Sequence, residues 1–185
     1  MKKFDTIEYL KAGNSVQQKA WKVLGEHRVM ELLEPFDPVL TGTIPLEIDI
    51  PGSDMDIVCC WRNIDAFKAA LLSFSGEKEF SMSESHVNGV QTVMAFFRME
   101  DLPVEVFGQN RPVKQQEAYR HMMIEYFILQ QKGEEFKRAV IELKLKGIKT
   151  EPAFAMLLGL EGDAYSALLD YPETDPAIAL ELRNL

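Results

Sequence analysis

Apolar positions recur along this chain with two different periods, and the switch between them organises it. Between Ser15 and Leu33 they fall at Val16, Ala20, Val23, Leu24, Met30 and Leu33, with His27 on the same face. That spacing predicts an amphipathic helix of about twenty residues. A capping box, Ser15 followed by Gln18, opens it, and Pro35 ends it. A second such box, Asp5 followed by Glu8, precedes it. Val39-Leu40 is then a short apolar run leading into Thr41-Gly42-Thr43, and Pro45, Pro51 and Gly52 punctuate the next stretch. Met55 to Trp61 reads as a strand and Ile64 to Phe74 as a helix. Val90 to Arg98 is a second strand, whose continuous apolar run Val93 to Phe97 suits a central position. Glu100-Asp101 makes a turn, and Pro103 to Phe107 is a third strand. Beyond Gly108 the period is helical: Tyr119, Met122, Met123, Tyr126 and Phe127 share one face. Gly133 and Gly147 are helix stops, and Thr150-Glu151-Pro152 starts another helix with Thr150 as its cap.

This order predicts an α+β fold with a small mixed β-sheet flanked by helices and a helical C-terminal part. The division falls at a core over 1–110 and a helical region over 111–185 packed on it. The full length of 185 residues is enough to bury a core without disulfides. Cys59 and Cys60 are adjacent and would point to opposite faces of a strand, so they read as reduced core residues. No apolar segment follows the charged N-terminus, and no run approaches the ~18 residues of a membrane span. The expectation is a cytoplasmic protein without a membrane anchor. The net charge of -9 argues against extended DNA binding, which draws on Lys and Arg.

The chemistry concentrates in three carboxylates. Asp54 and Asp56 are one residue apart, so a strand beginning at Asp54 would place both on one face. They would repel each other unless a cation lay between them, and Mg²⁺ takes oxygen ligands of this kind. A bare Asp-x-Asp is ordinarily a solvated strand start, but two neighbours change its meaning. Upstream, Gly42-Thr43 offers a close backbone approach and a hydroxyl to a phosphate. Downstream, Glu105 interrupts the apolar run Val104-Glu105-Val106-Phe107, where a charge is costly without a partner.

Leu40-Thr41-Gly42-Thr43, Ser53-Asp54-Met55-Asp56-Ile57 and Val104-Glu105-Val106 resemble the signature of the nucleotidyltransferase superfamily. Further stretches resemble a bacterial family of nucleotidyltransferase-like proteins described as a domain of unknown function. They are Gly42 to Leu46, Ile48 to Asp56, Ala118 to Met122 and Lys149 to Ala155. The GrpB-like family is a more distant likeness. The resemblance implies a nucleotidyltransferase fold in which Asp54 and Asp56 hold Mg²⁺ (or Mn²⁺) against a nucleoside triphosphate. Gly42 and Thr43, with Ser53 beside them, would bind the nucleotide. Glu105 would hold a second metal or act as base on the acceptor hydroxyl, and two metals would stabilise an in-line displacement.

A triphosphate also needs cations. Arg120 is the preferred one, since guanidinium binds phosphate through two hydrogen bonds. Lys114 and His121 lie near it in sequence, and Arg62, Lys144, Lys146 and Lys149 are weaker candidates. The segment between Thr43 and Asp54 has no Lys or Arg and carries Glu47 and Asp49, which would repel a triphosphate if they faced it. His86 stands beside the turn signal Asn88-Gly89 and reads as a hairpin flank. His27 reads as a core histidine. The chain has no zinc-site spacing, Walker loop or dinucleotide motif. The expected activity is transfer of a nucleoside monophosphate to an unidentified acceptor: a small molecule, a protein or RNA. The alternative is a catalytically inactive nucleotide- or metal-binding regulatory module of the same fold.

Overall fold

The computed structural model describes residues 4–183. Its strands are β1 (Val39–Thr41), β2 (Met55–Cys60), β3 (Lys78–Val87), β4 (Val90–Met99) and β5 (Leu102–Gln109). They form one sheet in the order β1-β2-β5-β4-β3. The β2–β5 pair is parallel and the others are antiparallel, so the sheet is mixed as expected. The helices are α1 (Ser15–Glu26), α2 (Val29–Leu32), α3 (Ile64–Leu72), α4 (Glu117–Leu145), α5 (Thr150–Leu158), α6 (Ala164–Thr174) and α7 (Pro176–Arg183). Among the described residues, no helix is long and apolar enough to cross a membrane.

Strand alternation divides the interior in two. Met55, Ile57 and Cys59 of β2 share one core with Ala20, Val23 and Leu24 of α1 and with Phe67 and Leu71 of α3. Val58, pointing the other way, joins Met122, Ile128 and Phe154 from the C-terminal helices. The sheet is therefore sandwiched, with the helices after Gln109 covering the face that carries Asp56.

Four local expectations need correction. Thr150 is the first residue of α5 rather than its cap, a place held by Lys149 without a side-chain cap bond. The helix after Ser15 is interrupted: α1 ends at Glu26, Arg28 takes a left-handed φ of 54°, and α2 follows. Val29 and Leu33 are nevertheless fully buried, so the apolar stripe survives the break. The cap of α1 is Asn14 with Gln17, one residue earlier than the box read from the sequence. Tertiary contact explains the choice, because buried Gln17 also donates from Nε2 to the Ile44 carbonyl at 2.8 Å. The Asp5/Glu8 pair does not cap a helix. The chain forms a 3-10 turn over Glu8–Ala12, with Ile7 at its N-cap and no side-chain cap.

The sequence pattern missed β3, whose residues are mostly exposed and polar. Pairing along β4 holds it, through a turn in which Asn88 and Gly89 both have positive φ, 49° and 78°. Gly133 sits at a kink inside α4 with φ 75°.

Candidate active site

Strand register puts the sheet-borne groups in one row. Thr41 of β1 is opposite Asp56 of β2, and Asp56 is opposite Glu105 of β5. Asp54 lies just before β2, which begins at Met55. Gly42 turns the chain away from β1 with φ 74°, and a Cβ there would lie 2.1 Å from Asp56 Oδ2. Glycine is thus required twice, for its backbone angle and for the space the Asp56 carboxyl fills. The loop after Thr43 is self-bonded. Ile50 N–H donates to Ser53 Oγ at 3.0 Å, and Thr43 Oγ1 donates to Ser53 Oγ at 3.5 Å. Gly42, Thr43, Ser53, Asp54, Asp56 and Glu105 all line one cavity of about 700 Å³.

The facing wall belongs to the C-terminal helices. His121, Met122 and Glu125 face the cavity from α4 at helical spacing, and Lys144 lines it from the far end of the same helix. The α4–α5 connection adds Lys149 and the first turn of α5 adds Glu151, while Tyr165 of α6 closes that side. Lys144 Nζ donates to the Ile48 carbonyl at 2.8 Å, and His121 Nε2 lies 3.0 Å from the Tyr165 carbonyl.

The phosphate cation preferred from the sequence is displaced. Arg120 is exposed and is not among the cavity's lining residues, whereas His121 is. Successive helix residues are rotated by about 100°, so one position decides which of the two faces inward. The lysines that do line the cavity are Lys144 and Lys149. Arg62 lines a different cavity, beside Phe36 and Cys60. The acids of the loop between Thr43 and Asp54 do not face the site: Glu47 pairs with Lys137 at 2.9 Å, and neither Glu47 nor Asp49 is a lining residue. His27 is half-buried rather than a core residue, with Nδ1 3.5 Å from Glu77. His86 pairs with Gln91 in the β3–β4 hairpin.

The electrostatics of the cavity lean strongly negative. Burial, then Asp54, Glu105 and Glu151, pushes the Asp56 carboxyl up to about 8 against the opposing pull of Lys144. Burial, followed by Asp54, raises Glu105. Burial, and then Glu151, pushes Glu125 up to about 8, while Lys144 opposes the shift. Burial lowers Lys144 in turn. Asp56 is thus held where burial and acidic neighbours outweigh the pull of Lys144, and those neighbours offer hard oxygen donors. That chemistry fits Mg²⁺ or Mn²⁺. Among the described residues no three His, Cys, Asp or Glu side chains converge as a ready metal site. Mg²⁺ does not require one, because it is typically held by one or two carboxylates together with waters and substrate phosphates.

The family model for DUF4269, a domain of unknown function, matches residues 22–171, which include every candidate group named above. The chain belongs to that family. The matching model is that of DUF4269 rather than of the GrpB-like proteins, and no curated protein sequence matches the chain. Among solved structures, the chain is similar to the Cid1 poly(U) polymerase in a structure described as MgGTP-bound. The TM-score is 0.51 and the identity 12%, covering 69% of this chain and 41% of that one. The polymerase core of TRAMP, an RNA surveillance complex, gives a TM-score of 0.49 at 12% identity, over 90% of this chain and 53% of that chain. The chain thus spans well under half the length of the Cid1 polymerase. The Cid1 likeness shows that this DUF4269 member has the nucleotidyltransferase fold.

Proposed function

We propose that this DUF4269 protein is an Mg²⁺-dependent nucleotidyltransferase that moves a nucleoside monophosphate from a triphosphate to an acceptor hydroxyl. The observation that carries this is the meeting of Gly42-Thr43, Asp54, Asp56 and Glu105 on one cavity wall, with Lys144 and Lys149 on the other. Asp54 and Asp56 would hold the metal, which supplies charge neutralisation on the phosphates and the leaving pyrophosphate. Thr43 and Ser53 present hydroxyls to the phosphates, and the first turn of α5 beside Lys149 presents backbone N–H groups without a side-chain cap. Glu105, whose carboxyl is raised, accepts the proton of the acceptor hydroxyl. The hydroxyl oxygen bonds to the α-phosphorus. The bond from that phosphorus to the bridging oxygen breaks, and pyrophosphate leaves. Fold alone does not fix this reaction, so the reading rests on the site.

Isothermal titration with Mg²⁺ and each nucleoside triphosphate tests it. Wild type is expected to bind at least one, and the Asp54→Ala/Asp56→Ala variant none. Absence of binding by wild type, or equal binding by both proteins, sinks the reading. A nucleotide- or metal-binding regulatory module without turnover is the second reading, favoured by a cavity lining in which five acidic side chains outnumber two lysines, poor company for a triphosphate. Transfer of label from an α-labelled triphosphate into extract components, lost in Asp56→Asn, decides for an enzyme.

A further inference from the structure

The metal-binding reading uses one wall of the cavity and leaves the other's acids without a task. Glu125 is the more telling of them. It projects from the apolar face of α4, is only 3% exposed, and lines the cavity. Its Oε1 has no hydrogen-bond partner. Lys144 shares the cavity, yet its Nζ donates to the Ile48 carbonyl rather than to Glu125. A buried carboxyl oxygen without a hydrogen-bond partner costs free energy that an apolar residue there would avoid. The cost is understandable if a ligand brings the missing partner.

The charge balance indicates what that ligand is. Among the described lining residues, five acidic side chains (Asp54, Asp56, Glu105, Glu125, Glu151) outnumber two lysines (Lys144, Lys149), and burial keeps Asp56 and Glu125 protonated until a positive partner arrives. A metal-bound triphosphate does not correct this surplus, because metal and phosphates largely neutralise each other. The surplus of acidic groups is left for the third component, the acceptor. Tyr165, partly exposed with its ring centroid 6.1 Å from that of His121, adds an aromatic surface of the kind that attracts cations. A polyanion such as RNA would meet repulsion on this wall, and the net charge of -9 offers it no wider compensation. The cavity, about 700 Å³, is of a size that holds small molecules.

We propose that Glu125, with Glu151 beside it, forms a subsite for a protonated amine, and that the acceptor class is hydroxyl-bearing organic amines such as amino sugars. The ammonium is held and not consumed, and the acceptor's hydroxyl is the group that reacts. The role as acceptor rests on the nucleotidyl-transfer reading, whereas the amine subsite does not. An arriving ammonium would also favour the anionic form of Glu125, whose carboxyl burial holds protonated.

Calorimetry with wild-type protein tests this, titrating glucosamine and galactosamine against their N-acetyl forms, with and without Mg²⁺ and a non-hydrolysable triphosphate. Each amine is expected to bind about tenfold or more tighter than its N-acetylated partner in both conditions. Glu125→Gln, nearly identical in shape, is expected to erase the preference, and Glu151→Gln to reduce it. Equal binding of amine and N-acetyl forms by wild type, or no binding of either, overturns the proposal. A preference that survives in Glu125→Gln overturns it too, as does tighter binding of a short oligouridylate than of either amine. The wild-type comparison stands even if a variant fails to fold. Amine preference in a protein that binds no Mg²⁺-triphosphate would keep the subsite and remove the transfer reading.

Discussion

Gly42 is where residue-scale physics is least forgiving. A left-handed φ costs a residue with a Cβ roughly 1–2 kcal/mol, and here the added carbon would also overlap Asp56 Oδ2. Gly42→Ala is therefore expected to lower the thermal midpoint by several degrees and to weaken Mg²⁺-triphosphate binding, with melting curves and calorimetry as the readouts. Gly52, also at positive φ but with open space around its Cβ position, is the control: its alanine variant suffers only the backbone cost. Asp56→Asn works in the opposite direction. It removes a carboxyl that burial and three acidic neighbours hold well above its ordinary value. The metal-free variant is expected to be more stable than wild type near pH 8.5 by about 1 kcal/mol or more, since one pKa unit corresponds to about 1.4 kcal/mol. It should also gain nothing from added Mg²⁺. Urea midpoints with and without the ion measure both effects.

At the scale of elements, β2 and α4 face each other across the cavity, and each contributes a carboxyl held near 8, Asp56 and Glu125. In the unfolded chain these groups titrate near the ordinary 3.8 and 4.5. Between those values and about 8 the folded protein therefore binds protons that the unfolded chain has released. The stability this confers is fully present below the unfolded values and is lost as pH rises through about 8. Lys144, which burial holds below the ordinary lysine value, acts in the opposite sense toward the alkaline end. The metal-free protein should accordingly show a urea midpoint that falls between about pH 5 and about pH 8. Mg²⁺ should recover part of the loss at the upper end, through Asp56, and a midpoint flat across this window would refute the assignment. The elements also show where sequence patterning succeeds. Amphipathic spacing made α1 and the start of α4 legible, and a continuous apolar run made β4 legible. The polar strand β3 gave no period because both its faces are largely exposed, and its structure comes from the ladder with β4. Tertiary contact likewise moved the cap of α1 to Asn14, because Gln17 is recruited by the Ile44 carbonyl.

Across the whole molecule, the loop from Thr43 to Ser53 is clamped by the C-terminal half. Lys144 holds the Ile48 carbonyl, and Lys137 holds Glu47. Ile48 is itself fully buried in the C-terminal core. The clamp keeps Glu47 and Asp49 off the cavity while Thr43 and Ile50 to Ser53 line it, and it joins the strand-rich and helical parts into one site. Lys144→Met retains most of the apolar stem but removes a charge-assisted bond of about 1.5–3 kcal/mol. Hydrogen exchange is expected to quicken across 44–52 in this variant while the β4–β5 pairing stays protected. Unchanged exchange in the loop would show that packing of Leu46 and Ile48 alone holds it.

Local sequence accounts for the α+β class, the helical C-terminal part and the places of Gly42, Asp56 and Glu105 on the strands and turns that carry them, with Asp54 one residue short of its expected strand. Those features come from local periodicity and from the cost of a charge in an apolar strand, both of which are written in neighbouring residues. What faces these groups follows instead from how distant elements dock. Glu125 and Glu151 lie far from Asp56 in sequence, and a glutamate on an apolar helix face was the single local sign that Glu125 mattered. The choice of His121 over Arg120, and of Lys144 over both as the buried cation, depended on the rotation and docking of α4 on the sheet. Packing sets that rotation through contacts between distant parts of the chain, and a sequence pattern records each side of such a contact without recording that they meet.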